Sequence, residues 1–523
     1  VSAHSEFKRL SLALFSYQTG LLVIGMFVLI TLRRLFKIER WHGPADVIYA
    51  AHTNMSSLSI KTGLATIASV WISVAAGASV GIYGPLVHFG AFLSKIFNSV
   101  FKVTLLSHDM LIGCGVAAAI SAGFNAPIAG MIFAHEVVLR HFSMRALAPI
   151  AIASIGSFSM SSWLFEDVRW LRLDIAVPSI LPLSPGLLIS GLFFGMVSVL
   201  IIRLQINVSR WAGLSGFKDW QLGSIAVAIC AIIGFFVPQA LGLGPAAVRD
   251  MLSLEFGLGT LFIFLVSKVI LTAASTCLGY SLGIFSPSLF IGAAAGGVVG
   301  SLLNLAGLPV SLPILMVCGM AALSGAITGA PIAVMVIIIE MTMSYDLAVA
   351  TMIAVGTCSF ISFIFGGSSL FDQQLEMRNI NINGGRVALL LAEMAINELA
   401  NDDFSVIPAR TSADNAAKLL AKNGHSEGYC LENDGTLIGK VRLQDLVAAS
   451  AKTSLASIMD KEPLHLRSDS SVEKAREVAS GFVGEAMPVL EKGTLKMIGV
   501  ISEADIFTAV LDTQRTVTSL EKA

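Results

Sequence analysis

Cys114-Gly-Val-Ala-Ala-Ala-Ile-Ser-Ala-Gly-Phe-Asn-Ala-Pro127-Ile-Ala-Gly-Met-Ile-Phe-Ala-His-Glu136 returns without a gap as Cys318-Gly-Met-Ala-Ala-Leu-Ser-Gly-Ala-Ile-Thr-Gly-Ala-Pro331-Ile-Ala-Val-Met-Val-Ile-Ile-Ile-Glu340. Each copy has a shorter companion upstream. Gly81-Ile-Tyr83-Gly-Pro85-Leu-Val-His-Phe-Gly90-Ala matches Gly283-Ile-Phe285-Ser-Pro287-Ser-Leu-Phe-Ile-Gly292-Ala, about two hundred residues further on. The order of the motifs is kept as well as their wording, so the apolar part of the chain is a duplicated unit. Apolar segments interrupted by Gly and Pro at matching places in two halves mark transport folds whose site lies between the repeats, on the ends of broken helices.

Composition agrees with that reading. Of 523 residues 55% are hydrophobic and 13% charged, and the mean hydropathy is +0.79. A soluble globular protein of ordinary make-up is excluded; this is an all-α polytopic membrane protein. The runs Ser16 to Leu32, Pro185 to Ile202, Leu222 to Val237, Leu258 to Ala274, Leu312 to Met343 and Leu347 to Ile364 approach or exceed the roughly 20 apolar residues that cross a bilayer. Where Gly or Pro breaks such a run, backbone groups are freed that lipid cannot satisfy, so the breaks must face protein, water or a bound ion. The net charge of −1 averages an apolar part with a polar tail and shows no nucleic-acid patch. The six cysteines lack C-x-x-C spacing and imply neither a disulfide framework nor a metal. The chain reads as a transporter of ions and not as an enzyme. Arg33, Arg34, Lys37 and Arg40 crowd the end of the first apolar run, which the positive-inside rule places in the cytoplasm.

The character changes near Gly366. The membrane part is read as residues 1–375, with repeats at about 15–208 and 215–366, followed by a linker over 376–400. From about Asn401 short helices alternate with β-rich segments and D-G or K-G turns, a soluble α+β domain that is itself double. Thr411-Ser-Ala-Asp414 leads to Gly439-Lys-Val-Arg442-Leu-Gln-Asp445, and Asp469-Ser-Ser-Val leads to Gly499-Val-Ile-Ser502-Glu-Ala-Asp505. Each half resembles a CBS domain, giving one half at 401–450, a second at 451–515 and a tail at 516–523. In that family the hydroxyl and carboxylate of G-x-[VI]-[ST]-x-x-D hold an adenosine ribose and phosphate. Ser502 and Asp505 match, whereas Arg442 stands at the hydroxyl position of the first half. The resemblance thus implies at most one adenine-nucleotide site, and a packing and dimerisation module without ligand is an equal alternative. The tail domain is expected in the cytoplasm.

The membrane motifs, Gly81-x-x-Gly84-Pro85, Phe124-Asn-Ala-Pro127-Ile-Ala-Gly130 and Gly283-Ile-Phe285-Ser-Pro287, in this order and with a CBS pair behind, resemble the CLC family of chloride channels and proton-coupled chloride antiporters. The resemblance runs from about residue 15 to the C-terminus. It implies an inverted-repeat fold with broken helices and a homodimer with one pore per subunit. It also implies a membrane helix ahead of the one that begins near Ser16, so the sequence, which opens Val1-Ser-Ala-His, reads as lacking that helix.

The residues explain the motifs without the name. Gly84-Pro85 and Ser286-Pro287 each precede an apolar helical run, and proline in a first turn supplies a fixed φ where its missing N–H costs nothing. A helix start presents unpaired N–H groups and about half a positive charge, which suits an anion. Weak sites of this kind also release their ion.

The departures from the family pattern decide the mode. Where the family reads G-[KR]-E-G-P, with a Glu that gates the outer site and accepts the exchanged proton, this chain has Tyr83, neutral at pH 7 and able to block only by bulk. The antiporters' second Glu aligns with Val137, beside Glu136, whose counterpart Glu340 favours a role in the scaffold. The family's Ser and Tyr hydroxyls fall on His42 and Phe371. His42, with an ordinary pKa near 6.5, is either an electrostatic switch for anion entry or a packing residue. The amides of Gly43, Ile284 and Phe285 remain as donors.

The sequence therefore points to passive, uncoupled, voltage- or ligand-modulated transport of chloride or a similar small anion, with no cofactor required and an adenine nucleotide as the one candidate ligand of the CBS pair. The pathway would run along His42, Gly43, Tyr83, Gly84, Ile284, Phe285 and Phe371, with Tyr83 as outer constriction and Phe371 as inner gate. A proton-coupled antiporter that uses His42, His88 or water, a CBS nucleotide sensor with a degenerate pore, and a divalent-cation channel are the alternatives, in that order.

Overall fold

The computed structural model describes residues 2–53, 58–103, 106–165, 180–378 and 380–522. The chain divides after Asn379 into two compact units. In the first, the opening helices are α1 (Ser2–Phe36), α2 (Pro44–His52), α3 (Ile60–Ala75), α4 (Tyr83–Phe101), α5 (His108–Phe124), α6 (Pro127–Phe133) and α7 (Met144–Phe165). A π-helical turn, Ala134–Leu139, continues α6. Then come α8 (Ile180–Leu214), α9 (Asp219–Phe236), α10 (Pro245–Leu252), α11 (Leu258–Cys277), α12 (Phe285–Leu305), α13 (Leu312–Thr328), α14 (Pro331–Thr342), α15 (Tyr345–Gly366) and α16 (Leu370–Glu376).

Among the described residues seven helices are long and apolar enough to cross a bilayer, Met144–Phe165 and Phe285–Leu305 included. Those two were not among the apolar runs of the sequence, because small and hydroxyl residues dilute them. Large side chains such as Phe27, Trp163, Phe236 and Phe363 stand exposed around this unit, as a lipid-facing surface requires. The run Leu312 to Met343, read as one apolar crossing, is two helices. The α13 helix ends at Gly329 with φ +72°, and Pro331 starts α14. Asn125, also left-handed at φ 57°, ends α5 before Pro127 in the same way.

The duplication is visible in three dimensions. Helix α4 crosses α5 where Gly90 meets Gly115, and α12 crosses α13 where Gly292 meets Gly319; a methyl on any of these glycines would collide with the facing carbonyl. The repeats then meet through exchanged contacts. Gly81 donates its N–H to the Gly283 carbonyl at 2.7 Å, and a methyl at Gly283 would strike the Gly81 carbonyl. Ser73 Oγ accepts the Ser281 N–H at 3.1 Å, while Ser275 Oγ accepts the Ser79 N–H at 3.2 Å. Contacts in which each partner plays both parts are those of a two-fold axis, here relating the two halves of one chain.

The second unit opens with α17 (Gly385–Glu393) and continues with β1 (Ser405–Val406), α18 (Ala413–Asn423), β2 (Glu427–Leu431), β3 (Leu437–Arg442), α19 (Leu443–Ala448), β4 (Leu466–Arg467), α20 (Val472–Ala479), β5 (Met487–Leu490), β6 (Met497–Ile501) and α21 (Glu503–Lys522). The two three-stranded sheets, β1-β2-β3 and β4-β5-β6, each pair one parallel and one antiparallel neighbour. The expected linker over 376–400 is largely folded. Leu391 and Ile396 are buried in the core of the second half with Leu466, Val489 and Ile501. Leu455, past the expected boundary at 450, is buried in the first half's core with Ile407, Leu420 and Val441. Each half thus takes the segment that precedes the other, which turn-residue punctuation cannot reveal. Residues 516–522 are not a separate tail but the end of α21.

Candidate anion cavity

The two short motifs build opposite sides of one cavity. Helices α4 and α12 both place proline at their third position, and their own hydrogen-bond ladders begin only with Leu86 N–H to the Ile82 carbonyl and Ser288 N–H to the Ile284 carbonyl. The first N–H groups of each helix, those of Tyr83 and Gly84 and of Phe285 and Ser286, precede that ladder and are free to face a ligand. The cavity, about 50 Å³, is walled by Gly43, Tyr83, Gly84, Gly283, Ile284, Phe285 and Phe371. All the residues expected along the anion path except His42 therefore lie on one void. Gly84 fits because its backbone runs against the Leu282 carbonyl and Pro44, 3.3 and 3.4 Å from where a methyl would sit.

The longer motifs do something else. At the start of α14 the Glu136 carboxylate accepts the Ile332 and Ala333 N–H groups at 2.9 and 2.7 Å. At the start of α6 the Glu340 carboxylate accepts those of Ile128 and Ala129 at 2.9 and 2.8 Å. Each repeat caps a broken helix of the other with a built-in anion. Glu136 is thus a scaffold group, whereas no side chain among the described residues caps the starts of α4 and α12. Val137 is buried in the π-helical turn.

One end of the void is aromatic. Tyr83 stacks on Phe124 with ring centroids 3.7 Å apart, and Phe285 meets both rings edge-on at 5.7 and 5.2 Å. The Tyr83 hydroxyl donates to the Gly123 carbonyl at 3.4 Å, so the ring lies against α5 with 8% of its surface exposed. Phe371 enters from α16, a helix fixed by the Ser369–Asp372 capping box and by an Arg140–Asp372 ion pair.

Two expectations need correction. The Gly43 N–H is already engaged: it donates to Asp46 Oδ2 at 2.8 Å. A carboxylate three residues into the helix is well placed to reach back to the cap. Asp46 Oδ1 in turn accepts from Arg40 at 2.5 Å and Arg378 at 2.9 Å. His42 is not among the cavity's lining residues; its ring meets that of His88, with centroids 5.4 Å apart and planes at 89°. His88 is fully buried, and neither of its ring nitrogens has a partner, nor has His42 Nδ1. Sequence reading also missed Asp46, Gln205, Thr276, Thr328 and Arg378 as cavity walls. The signal was present for Gln205, a polar residue inside a long apolar helix, where it accepts from Thr276 Oγ1 at 2.9 Å.

In the second unit Ser502 and Asp505 hold each other. The serine hydroxyl and N–H both donate to Asp505 Oδ2, at 2.7 and 2.9 Å, and Asn401 Nδ2 adds a third bond at 3.2 Å. This hydroxyl–carboxylate pair caps α21. In the other half Arg442 faces Glu427 at 3.5 Å, beside a cleft that also includes Ser426, Val483 and Glu485. Glu427 itself forms a buried ion pair with Lys440 at 2.6 Å.

Among described residues, no cluster of acidic, His and Cys side chains is suited to a metal ion. The voltage gated chloride channel family profile matches residues 24–362, and a CBS domain profile matches 455–512. A ClcB-like protein of Ralstonia nicotianae is 30% identical over 366 residues, covering 67% of this chain and 83% of its own. Among solved structures, a eukaryotic CLC transporter superposes with TM-score 0.61 at 17% identity, covering 95% of this chain and 90% of that one. A slow cyanobacterial Cl−/H+ antiporter does so with TM-score 0.59 at 20% identity, covering 70% and 87%. With its paired helix starts on one void and its two halves exchanging caps, the chain belongs to the CLC family of membrane anion transporters and carries a CBS region behind its membrane part.

Proposed function

We propose that this protein passes chloride or a similar small monovalent anion down its gradient without coupling to protons, as a homodimer with one pathway per subunit and its CBS pair in the cytoplasm. The observation that carries the uncoupled mode is the cavity wall at Tyr83. An aromatic ring, hydrogen-bonded to a backbone carbonyl, stands where coupling needs a group that both carries a proton and competes with the anion, and Val137 offers no second proton station. Backbone donors at two helix ends select for a small anion and let it leave. A charge in so apolar a setting would cost tens of kcal/mol without such donors. They discriminate weakly among halides, nitrate and bicarbonate.

A proton-coupled mode is the second reading, favoured by the buried His88 and the facing His42, whose free nitrogens could pass a proton. One experiment separates the two. Purified protein in liposomes is given a chloride gradient, valinomycin releases the voltage, and efflux and external pH are followed together. Chloride efflux without uphill proton movement supports the uncoupled reading; protons driven uphill refute it. For the CBS pair we propose an adenine nucleotide at the Ser502–Asp505 side, tested by equilibrium dialysis with ATP, ADP and AMP.

A further inference from the structure

Asp46 is a wall of the anion cavity whose carboxylate is fully committed to cationic and N–H donors. Oδ2 takes the Gly43 N–H, and Oδ1 takes the guanidinium groups of Arg40 and Arg378, at 2.8, 2.5 and 2.9 Å. Its side chain is 8% exposed, against 26% for Arg378 and 45% for Arg40. Arg378 is a cavity wall as well. Two guanidinium groups facing one carboxylate leave an excess positive charge at this end of the void. The donors around Asp46, a backbone N–H and two cations, are those a permeant anion would use in the same place.

Helix α2 does not depend on the Asp46 side chain. The ladder of α2 starts from the Gly43 carbonyl, which accepts the Asp46 and Val47 N–H groups at 3.0 and 3.3 Å, so the helix survives if the side chain turns away. Turning about its two side-chain torsions, the carboxylate can stay with the more exposed Arg40 while the Gly43 N–H and Arg378 are freed into the cavity.

We propose that Asp46 is a tethered-anion gate at the Gly43 end of the pathway, its carboxylate competing with the permeant anion for the Gly43 amide and Arg378. The proposal rests on the anion-transport reading above and adds to it the residue that sets anion access at this end. Competition gives opposite signs for the two partners. Removing the carboxylate vacates the seat and leaves both cations for the incoming anion. Removing Arg378 leaves the carboxylate less balanced and more repellent to anions.

The test is chloride efflux from liposomes holding the full chain, measured across a range of chloride concentrations, with gel filtration reporting the folded protein. Asp46→Asn is expected to raise efflux at low chloride several-fold and to lower the half-saturating chloride; Arg378→Gln is expected to move both the other way. Folded Asp46→Asn protein with unchanged or slower efflux overturns the gate, as does a shift of both variants in the same direction, which a purely structural role would give. If Asp46→Asn does not fold, Asp46→Glu carries the test: the longer tether must shift the half-saturating chloride, and an unmoved value overturns the gate. Normal wild-type efflux with unmoved variants defeats the gate alone, whereas wild-type liposomes without efflux at any concentration defeat the transport reading and the gate with it.

Discussion

Replacing Glu340 by Gln puts a number on the exchanged caps. The wild-type carboxylate accepts two N–H groups at the start of α6, one on each oxygen, at 2.9 and 2.8 Å. The amide keeps one acceptor and turns an NH2 toward the other donor. One charge-assisted bond is therefore replaced by two opposed donors, at about 1.5–3 kcal/mol. The remaining bond loses its charge, and with it the attraction to the positive end of the helix, at about 0.3–1 kcal/mol. Ile128 lies on an exposed side, where rearrangement can recover part of this, so the expected net loss is about 2–3 kcal/mol. Glu136→Gln should cost the same, because its bonds of 2.9 and 2.7 Å repeat the geometry. The two caps join the same helices, α6 and α14. Breaking the first loosens the second, and the double variant should lose less than the two singles together, by about 0.5 kcal/mol or more. Urea unfolding followed by tryptophan fluorescence in detergent micelles measures all three. Single variants within about 0.5 kcal/mol of wild type would refute the reasoning and remove the scaffold role from Glu136 and Glu340.

Three further outcomes are expected. Tyr83→Ala removes the ring stacked on Phe124 and should raise anion efflux, with thermal unfolding as the control for packing; unchanged flux and selectivity would show that the ring is no plug. Glu427→Ala strands Lys440 in the interior of the second unit, since Glu427 is its only acidic partner at 2.6 Å among the described residues, and should cost that unit about 3–5 kcal/mol, read as lost amide-exchange protection at Tyr429 and Cys430. In the same unit a bond from Lys492 holds the Asp469 carboxyl below its usual range, and a bond from Lys474 does so for Glu477. Depressed carboxyl pKa values stabilise at pH above the unfolded value and lose that contribution as pH falls, so stability should be level from pH 7 to 5 and decline below about pH 4. The decline should be shallow because both groups are on the surface, and a stability that rises on acidification would contradict the sign.

The sequence displayed helix starts plainly and their partners hardly at all. Pro85 and Pro287 mark helix N-termini by a local rule, fixed φ, no N–H to lose and an apolar run behind; Pro127 and Pro331 obey the same rule, although the run Leu312 to Met343 reads as a single crossing. All four open helices in the structure at or within two residues of the proline. What the four ends do is decided elsewhere in the chain. Two receive carboxylates from about two hundred residues away, and two look into a cavity. No periodicity links Pro127 to Glu340; only the paired position of Glu136 and Glu340 in the two copies hinted that the acids belong to the scaffold.

Gly43 misled for the related reason that its competitor is close in sequence. Counting free amides at a helix start requires knowing which nearby side chain folds back, and Asp46 at the third helical position is suited to do so. The same physics that makes a helix start attractive to chloride makes it attractive to a protein carboxylate. A helix end in this fold is therefore open to an anion only where the chain has placed no acid of its own within reach: the starts of α4 and α12 line the cavity without one, those of α6 and α14 are closed by carboxylates that hold the repeats together, and that of α2 has Asp46 seated on its amide.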